Sequence, residues 1–325
     1  NTENLRDFHD QIKLEELISS IEQEKKKLKS KTPIVVKISP DISKEQATQI
    51  SQILLKHEIE GIIVSNTTEG NREKLQSTSK HQKGGLSGKP LETISNQLIN
   101  IFYNLLKESK KIYEVTEGAF DPTVGPLVNA WGFGPLNKKN IPSKEEIDSI
   151  IKLVGFDKLY FDETIIEKNH KDSYIDFSSI AKGYAVDFIA KYFNDNNVKN
   201  YFIDIGGEVK CNGINSSGKI WNIGIENPFL ENSSRKLIAS IPLKNLSLAT
   251  SGNYRNYYVN NDSIIVHIIN PKTGYPTESN MLSASVFSKD CFTSDAYATA
   301  FMVMGVKKAK QFAINNHDIE IYLVY

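Results

Sequence analysis

Residues 201–226 read YFIDIGGEVKCNGINSSGKIWNIGIE. The apolar runs YFIDIGG and WNIGIE are strand-length and bounded by Gly, Asn and Ser, residues that favour turns. Upstream lie KLYF (158–161), TIIEK (164–168) and YIDF (174–177); downstream lie LIASIP (237–242), SIIVHII (263–269) and LSASVFS (282–288). Helical patterns interrupt them at IAKGYAVDFIAKYF (180–193) and FTSDAYATAFMVMG (292–305). Many short strands with few helices predict an α+β fold built mostly from antiparallel strands. The glycines of YFIDIGGE suit either a tight hairpin turn or backbone lying against a flat ring or a phosphate.

Working back along the chain, NQLINIFYNLLKESKKIYEVTE (96–117) is a predicted helix, followed by GAFDPTVGPLVNAWGFGP (118–135), where Asp121 sits with Pro and Gly in a rigid loop. Ser143-Lys144-Glu145-Glu146 is a capping box opening a helix that stops at Gly155. Residues 1–93 have a different texture. FHDQIKLEELISSIEQEKKKL (8–28) is a charged amphipathic helix. TPIVVKISP (32–40) and EGIIVSNTT (60–68) read as buried parallel strands, with a helix between them opened by the box Ser43-Lys44-Glu45-Gln46. That is βα periodicity, and KGGLSGKP (83–90) follows it. There is no internal repeat.

Thirty-nine basic and 39 acidic residues give a formal net charge of zero in a 325-residue chain. Broad electrostatic attraction to nucleic acid or to an anionic membrane is therefore not expected. No apolar run reaches the length of a membrane span, and no signal peptide is visible. The chain opens on Asn1 and ends on the strand-like IEIYLVY, so both ends read as cut from a longer sequence. Cys211 and Cys291 lack zinc-site spacing; two buried thiols are the expected reading, a single disulfide the alternative.

Several motifs could carry chemistry, and each has a plain structural reading beside it. In SDAYATAF (294–301), Asp295 and Thr299 are i and i+4, so their oxygens share a helix face. A carboxylate with a hydroxyl one turn away suits a hard cation such as Mg²⁺; an Asp near a helix start also simply favours the dipole. DFSSIAKGYAVD (176–187) puts Asp176 at a strand end, Ser179 at a helix entry, and Lys182 and Gly183 in the first turn. Amides there can meet phosphate oxygens, and Gly183 would permit close approach, or the helix is merely capped. His267 lies in an apolar strand before the turn of HIINPKTGYP (267–276), where a histidine is usually structural, and ATSGNYRNYY (249–258) offers small residues that could admit a ligand.

Taken together, GAFDPTVGPLVNAWGFG, DFSSIAKGYAVD, DIGGE, WNIGIENP, ATSGNYRNYY, HIINPKTGYP and SDAYATAF occur in the order that marks the FAD:protein FMN transferases. Residues 97–325 thus resemble the ApbE family. The resemblance implies an α+β, antiparallel-rich, flavin transferase domain over residues 96–325. It implies that Ala119, Phe120, Asp121, Asp176, Lys182 and His267 contact FAD. It implies that Ser179, Asp295 and Thr299 hold Mg²⁺, and that His267 and Asp295 are catalytic. The implied reaction moves FMN from FAD, as substrate, to a Ser or Thr hydroxyl of an acceptor flavoprotein and releases AMP. Family acceptors carry Asp-x-x-Ser/Thr-x-Ala-Ser/Thr; this chain has no copy, so the acceptor is expected to be another protein. The alternatives are a Mg²⁺-dependent FAD pyrophosphatase, a dihydroorotate dehydrogenase and an inactive chimeric fragment. The resemblance also implies a bacterial, extracytoplasmic, membrane-anchored protein.

NTENLRD, VVKISPD, GIIVSNTT and GGLSGKP, within residues 1–95, resemble the middle of a quinone-linked dihydroorotate dehydrogenase, an FMN-containing TIM-type barrel. This implies that Asn1, Asn66 and Thr67 touch substrate or flavin and that Lys37 and Gly88 touch FMN. Only an incomplete βα segment of the barrel is present, and a closed barrel needs eight strands, so neither FMN binding nor dehydrogenase activity is expected of it. The transferase segment is expected to lack its usual N-terminal strands, and the end of the family's final sheet is expected to be cut short. Two partial modules joined within residues 90–108, in helix-like sequence without linker composition, read as a genomic rearrangement or an assembly error rather than a natural fusion.

Overall fold

A computed structural model describes residues 11–325 apart from 31, 33, 43–45, 47–49, 51–52, 55–56, 58, 60, 65, 69, 71, 74, 77, 82–83, 135–140, 164, 230–236 and 261–262. The capping box expected at Ser43 and the flavin contact expected at Asn1 fall outside the described residues. The chain divides into two units.

The first unit runs through Leu106 and takes in Tyr160–Lys171. Helix α1 (Gln11–Lys27) turns Leu14 and Ile18, one turn apart, into a small core with Ile50, Ile53 and Leu54. Its last turn carries Lys25, Lys26 and Lys27, favourable at the negative end of the helix dipole. Strands β1 (Val35–Ile38) and β2 (Gly61–Val64) pair in parallel, from Val35 opposite Gly61 to Ile38 opposite Val64. The expectation that these strands are buried on both faces is corrected: Val35, Lys37 and Ile63 are exposed. A pair of strands covered on one side presents alternate residues to solvent.

Helix α2 (Lys89–Val115) starts at Lys89 rather than Asn96, with Pro90 in its first turn, where the missing N–H is no loss. The division between the units falls inside α2, after Leu106. Within 118–135 the expected loop contains a 3-10 turn, Pro122–Val124, and a short helix α3 (Gly125–Ala130). Helix α4 (Lys144–Ile150) opens on the predicted box: Ser143 Oγ accepts from Glu146 N at 3.2 Å, and Glu146 Oε2 accepts from Ser143 N at 2.7 Å. Strands β3 (Leu159–Phe161) and β4 (Ile166–Lys168) pair with each other.

The second unit, Lys107–Gly134, Lys139–Leu159 and Asp172–Tyr325, holds the main sheet. No strand forms over Tyr174–Phe177, contrary to the reading of YIDF. This stretch follows the 3-10 turn instead: Asp176 N donates to Pro122 O at 2.6 Å, and the Tyr174 ring occupies the space a side chain on Gly125 would need. Then come helix α5 (Ala181–Asp195), β5 (Tyr201–Ile205), β6 (Glu208–Asn212), β7 (Trp221–Glu226), β8 (Leu237–Leu243), β9 (Ser247–Gly252), β10 (Tyr257–Asn260), β11 (Ser263–Val266), β12 (Ser283–Ser288), helix α6 (Cys291–Asn315) and β13 (Glu320–Val324). The five-stranded sheet has the order β13-β12-β9-β6-β5, with every neighbour antiparallel. Two further ribbons, β7-β8 and β10-β11, are antiparallel hairpins. The glycines of YFIDIGGE make the hairpin turn from β5 to β6, with Gly206 and Gly207 both at positive φ.

Strand β12 shows why the sheet sits where it does. All six of its residues are buried, so both faces are covered. Ala284 and Val286 point to one face and pack with Ala298, Phe301 and Met302 of α6. Phe287 points to the other and packs with Val209, Leu248, Ile223 and Ile225, the last two from β7. Helices α5 and α6 therefore cover one face and the β7-β8 ribbon lies over part of the other. Helix α6 is interrupted at Gly305, whose φ of 75° and ψ of 168° are not helical. Cys211 and Cys291 are both free and buried, as the two-thiol reading expects.

Candidate active site

Ala119, Phe120, Asp121, Asp176, Ser179, Lys182, His267, Asp295 and Thr299 come from four separate motifs, and all nine line one cavity of about 750 Å³ in the second unit. Gly206, Gly207 and Glu208 from the β5-β6 turn, Thr250 and Ser251 from β9, and Tyr254 and Arg255 complete much of the wall. The residues that the second resemblance singled out sit elsewhere. Lys37 is exposed on β1, Asn66 follows β2 and accepts from Thr67 N on its side-chain oxygen at 2.9 Å, and Gly88 lies before α2 with open space where a side chain would be. None of them lines the cavity.

Asp295 and Thr299 stand one turn apart on α6, as their spacing predicts. Asp295 is buried and accepts Gly183 N on Oδ2 at 3.0 Å, which leaves Oδ1 for a ligand. Burial, and then the neighbouring Glu208 carboxylate, push its pKa up to about 7. Thr299 Oγ1 lies 3.0 Å from Ser251 Oγ, and either hydroxyl can be the donor. Ser179 lies just before Ile180, the N-cap of α5. The donor set of Ser179, Asp295 and Thr299 is all oxygen. Two buried carboxylates, Asp295 and Glu208, face the Lys182 ammonium. This set fits a hard divalent cation, whose charge would offset theirs.

Lys182 Nζ lies 2.5 Å from Glu208 Oε2. Glu208 is buried, and burial raises its pKa against the lowering pull of Lys182. The close approach expected at Gly183 is to protein rather than to phosphate: a Cβ there would fall 2.5 Å from Cys291 O. Asp121 is buried and caps the 3-10 turn, accepting Thr123 N at 2.8 Å and Thr123 Oγ1 at 2.6 Å. Burial pushes its pKa up to about 6 against both hydrogen bonds. Asp176 Oδ1 accepts Ser178 N at 2.8 Å and also the Ser178 hydroxyl. His267 Nδ1 lies 3.0 Å from Asn256 O. A carbonyl only accepts, so Nδ1 carries the proton and neutral Nε2 is left with its lone pair. Burial lowers the His267 pKa, the Asn256 bond opposes this, and Lys182 lowers it further.

The ApbE family model matches residues 46–323. The chain belongs to the ApbE family. The match begins within the segment that resembles the dehydrogenase. The FAD:protein FMN transferase of Vibrio cholerae is 38% identical over 224 residues, 69% of this chain and 65% of the relative. That of Haemophilus influenzae is 39% identical over 228 residues, again 69% and 65%. Among solved structures, the flavin transferase ApbE from Vibrio cholerae superposes with a TM-score of 0.60 at 36% identity, covering 68% of this chain and 69% of that one. The chain spans 65% of the length of these two curated relatives.

The cavity of this ApbE-family chain also contains groups that were not singled out in the sequence. Glu208 follows the two glycines, and its acidity amid apolar strands was the available signal. Ser251, one of the small residues of ATSG, meets Thr299. Glu226 gathers two neighbours at the wall: Tyr254 OH at 3.3 Å and Arg255 in an ion pair. No helix among the described residues is long and apolar enough to cross a membrane.

Proposed function

We propose that this chain transfers FMN from FAD to a Ser or Thr hydroxyl of an acceptor protein in a Mg²⁺-dependent reaction. The observation that carries the reading is the convergence of nine residues from four motifs on one cavity, in a chain whose relatives bear the name of that activity. Asp295 Oδ1, Thr299 Oγ1 and an oxygen of Ser179 would hold the cation, which supplies positive charge to the pyrophosphate and to the departing AMP. Lys182, at the first turn of α5, places its ammonium at the same wall and meets phosphate oxygens alongside Glu208. Asp121 holds the 118–124 turn in shape, so that Ala119 and Phe120 form the wall against the flavin nucleotide. His267, neutral at pH 7 and protonated on Nδ1, offers Nε2 to the acceptor hydroxyl. That oxygen forms a bond to the FMN-side phosphorus as the bridging P–O bond breaks; its proton goes to Nε2 and AMP leaves.

The acceptor we infer is a separate flavoprotein bearing Asp-x-x-Ser/Thr-x-Ala-Ser/Thr. We read residues 1–95 as a partial dihydroorotate dehydrogenase-like βα segment, a reading supported by its four motifs and compatible with the parallel β1-β2 pair. The test mixes the full chain, FAD, MgCl₂ and an acceptor domain carrying the motif, and weighs the acceptor by mass spectrometry. FMN added through a phosphoester, with one AMP per adduct, is the expected result. AMP and free FMN with unlabelled acceptor would indicate hydrolysis instead, and no AMP at any magnesium concentration would overturn the proposal.

A further inference from the structure

Helices α5 and α6 both begin without a local cap: neither Ile180 nor Asp290, their N-cap residues, makes a side-chain capping bond. The first N–H groups of a helix nevertheless need partners. Ala181 N of α5 finds Phe177 O, and beyond it each helix supplies partners to the other. Gly183 N of α5 donates to Asp295 Oδ2 at 3.0 Å. Asp187, one turn along α5, accepts Cys291 N on Oδ1 at 3.0 Å and Phe292 N on Oδ2 at 2.8 Å. The result is reciprocal: Gly183 and Asp187 on one helix answer Asp295 and Cys291 on the other, each pair spaced i, i+4. The positive ends of both helix dipoles meet here, and the two carboxylates lie between them. Lys210 of β6 holds Asp187 from the sheet side, with Nζ 2.6 Å from Oδ1.

Only one of these carboxylates reaches the cavity. Asp295 lines it and Asp187 does not. We propose that Asp187 is a positioning residue that aims Asp295 Oδ1 at its cation by anchoring the first two amides of α6. The inference rests on Asp295 being a magnesium ligand, as proposed above. Asp187 fixes where α6 begins, Asp295 sits one rigid turn later, and the Gly183 amide fixes which of its oxygens is turned away from the cavity. A group that orients a metal ligand without touching the metal typically controls affinity by about 10- to 100-fold.

The test uses the full chain with FAD and reads Mn²⁺ binding from the paramagnetic resonance of the free ion. It is run well below the melting temperature of each variant. Asp187→Asn, which preserves volume but puts an NH₂ where an oxygen accepted an amide, is expected to weaken Mn²⁺ by about 10- to 100-fold. Lys210→Met, which removes the restraint behind Asp187, is expected to weaken it less, in the same direction. A folded Asp187→Asn protein that binds Mn²⁺ as the parent does, with only its melting temperature lowered, would make Asp187 a plain structural cap and overturn the proposal. If that variant does not fold, Lys210→Met decides: unchanged affinity overturns the proposal and weakened affinity supports it. A parent that binds no Mn²⁺ overturns the metal reading and this inference with it, whereas parent-like variants overturn the inference alone.

Discussion

Replacing Gly183 with alanine isolates the contact between the two helices that carry the candidate site. The added Cβ would fall 2.5 Å from Cys291 O, 2.8 Å from Cys291 C and 2.9 Å from Asp295 Cβ. The first two are backbone atoms of α6, so no side-chain rotation relieves them, and the helices must move apart by roughly 1 Å to reach ordinary carbon contacts. Overpacking of this kind costs about 1–3 kcal/mol. The same movement lengthens the Gly183 N to Asp295 Oδ2 bond, a hydrogen bond to a charged group worth about 1.5–3 kcal/mol. Alanine returns up to about 1 kcal/mol of helix propensity. The net loss is about 2–4 kcal/mol, which lowers the melting temperature of a unit this size by roughly 5–15 °C. Thermal unfolding followed by circular dichroism reads the shift, and FMN transfer at several magnesium concentrations reads the displaced Asp295 as a raised metal requirement. A Gly183→Ala protein that melts with or above the parent would refute the account of the helix contact.

Asp295→Ala is expected to abolish FMN transfer with the fold retained, whereas Thr299→Val, which removes a neutral ligand and the partner of Ser251, is expected to act mainly at limiting Mg²⁺; steady-state rates across a magnesium series separate the two. His267 works as a neutral ring and its pKa is lowered from 6.5 by burial, so at saturating Mg²⁺, which would keep Asp295 ionised, transfer should hold steady at neutral pH and fall only on acidification below 6.5. Between the folded value and 6.5 the unfolded chain binds the extra proton, so stability drops as pH falls there, and activity falls as pH passes on through the folded value. His267→Asn should abolish this acid limb, and a pH–rate profile unchanged by the substitution would exclude the histidine. Asp121 has the opposite sign: its folded pKa of about 6 lies above the ordinary 3.8, so stability falls as pH rises through that interval. Asp121→Asn, which still presents an oxygen to Thr123, should therefore gain on the parent in melting temperature above pH 6, while Asp121→Ala should lose about 1 kcal/mol through the missing cap.

Much of the site was legible because its residues occur in short motifs with local geometry. The i, i+4 spacing of Asp295 and Thr299 needs only a helix, and the Ser143 box needs only its own four residues. The antiparallel sheet was legible from strand-length apolar runs. SLATSG was not read as a strand because its residues are small and polar, yet it is β9, in the middle of the sheet. Small side chains suit its position, since Thr250 and Ser251 line the cavity beside Leu248, which also packs with Ile223 and Ile225 of β7. YIDF has strand composition, but Asp176 N donates to Pro122 O and the stretch enters no ladder. The reason for Gly183 could not be read from its neighbours, because the atom it makes room for, Cys291 O, lies more than a hundred residues away in sequence. Glu208 and Asp187 escaped for the same reason: a carboxylate's partners are set by which helices meet, and that is a property of the assembled unit.

The interruption of α6 at Gly305 has a consequence for sequence drift. In an unbroken helix each inserted or deleted residue turns everything on one side of it by about 100° relative to the other, since a turn takes 3.6 residues. A single such event near the end of a continuous helix would set its packed final turns at odds with the turns that carry Asp295 and Thr299. Gly305 stands between the two as a phase break. The stretch after it, which packs Ala309 and Phe312 into the core, can be re-registered without rotating the stretch before it. Length changes are therefore expected to accumulate after Gly305 and to be purged between Cys291 and Met304.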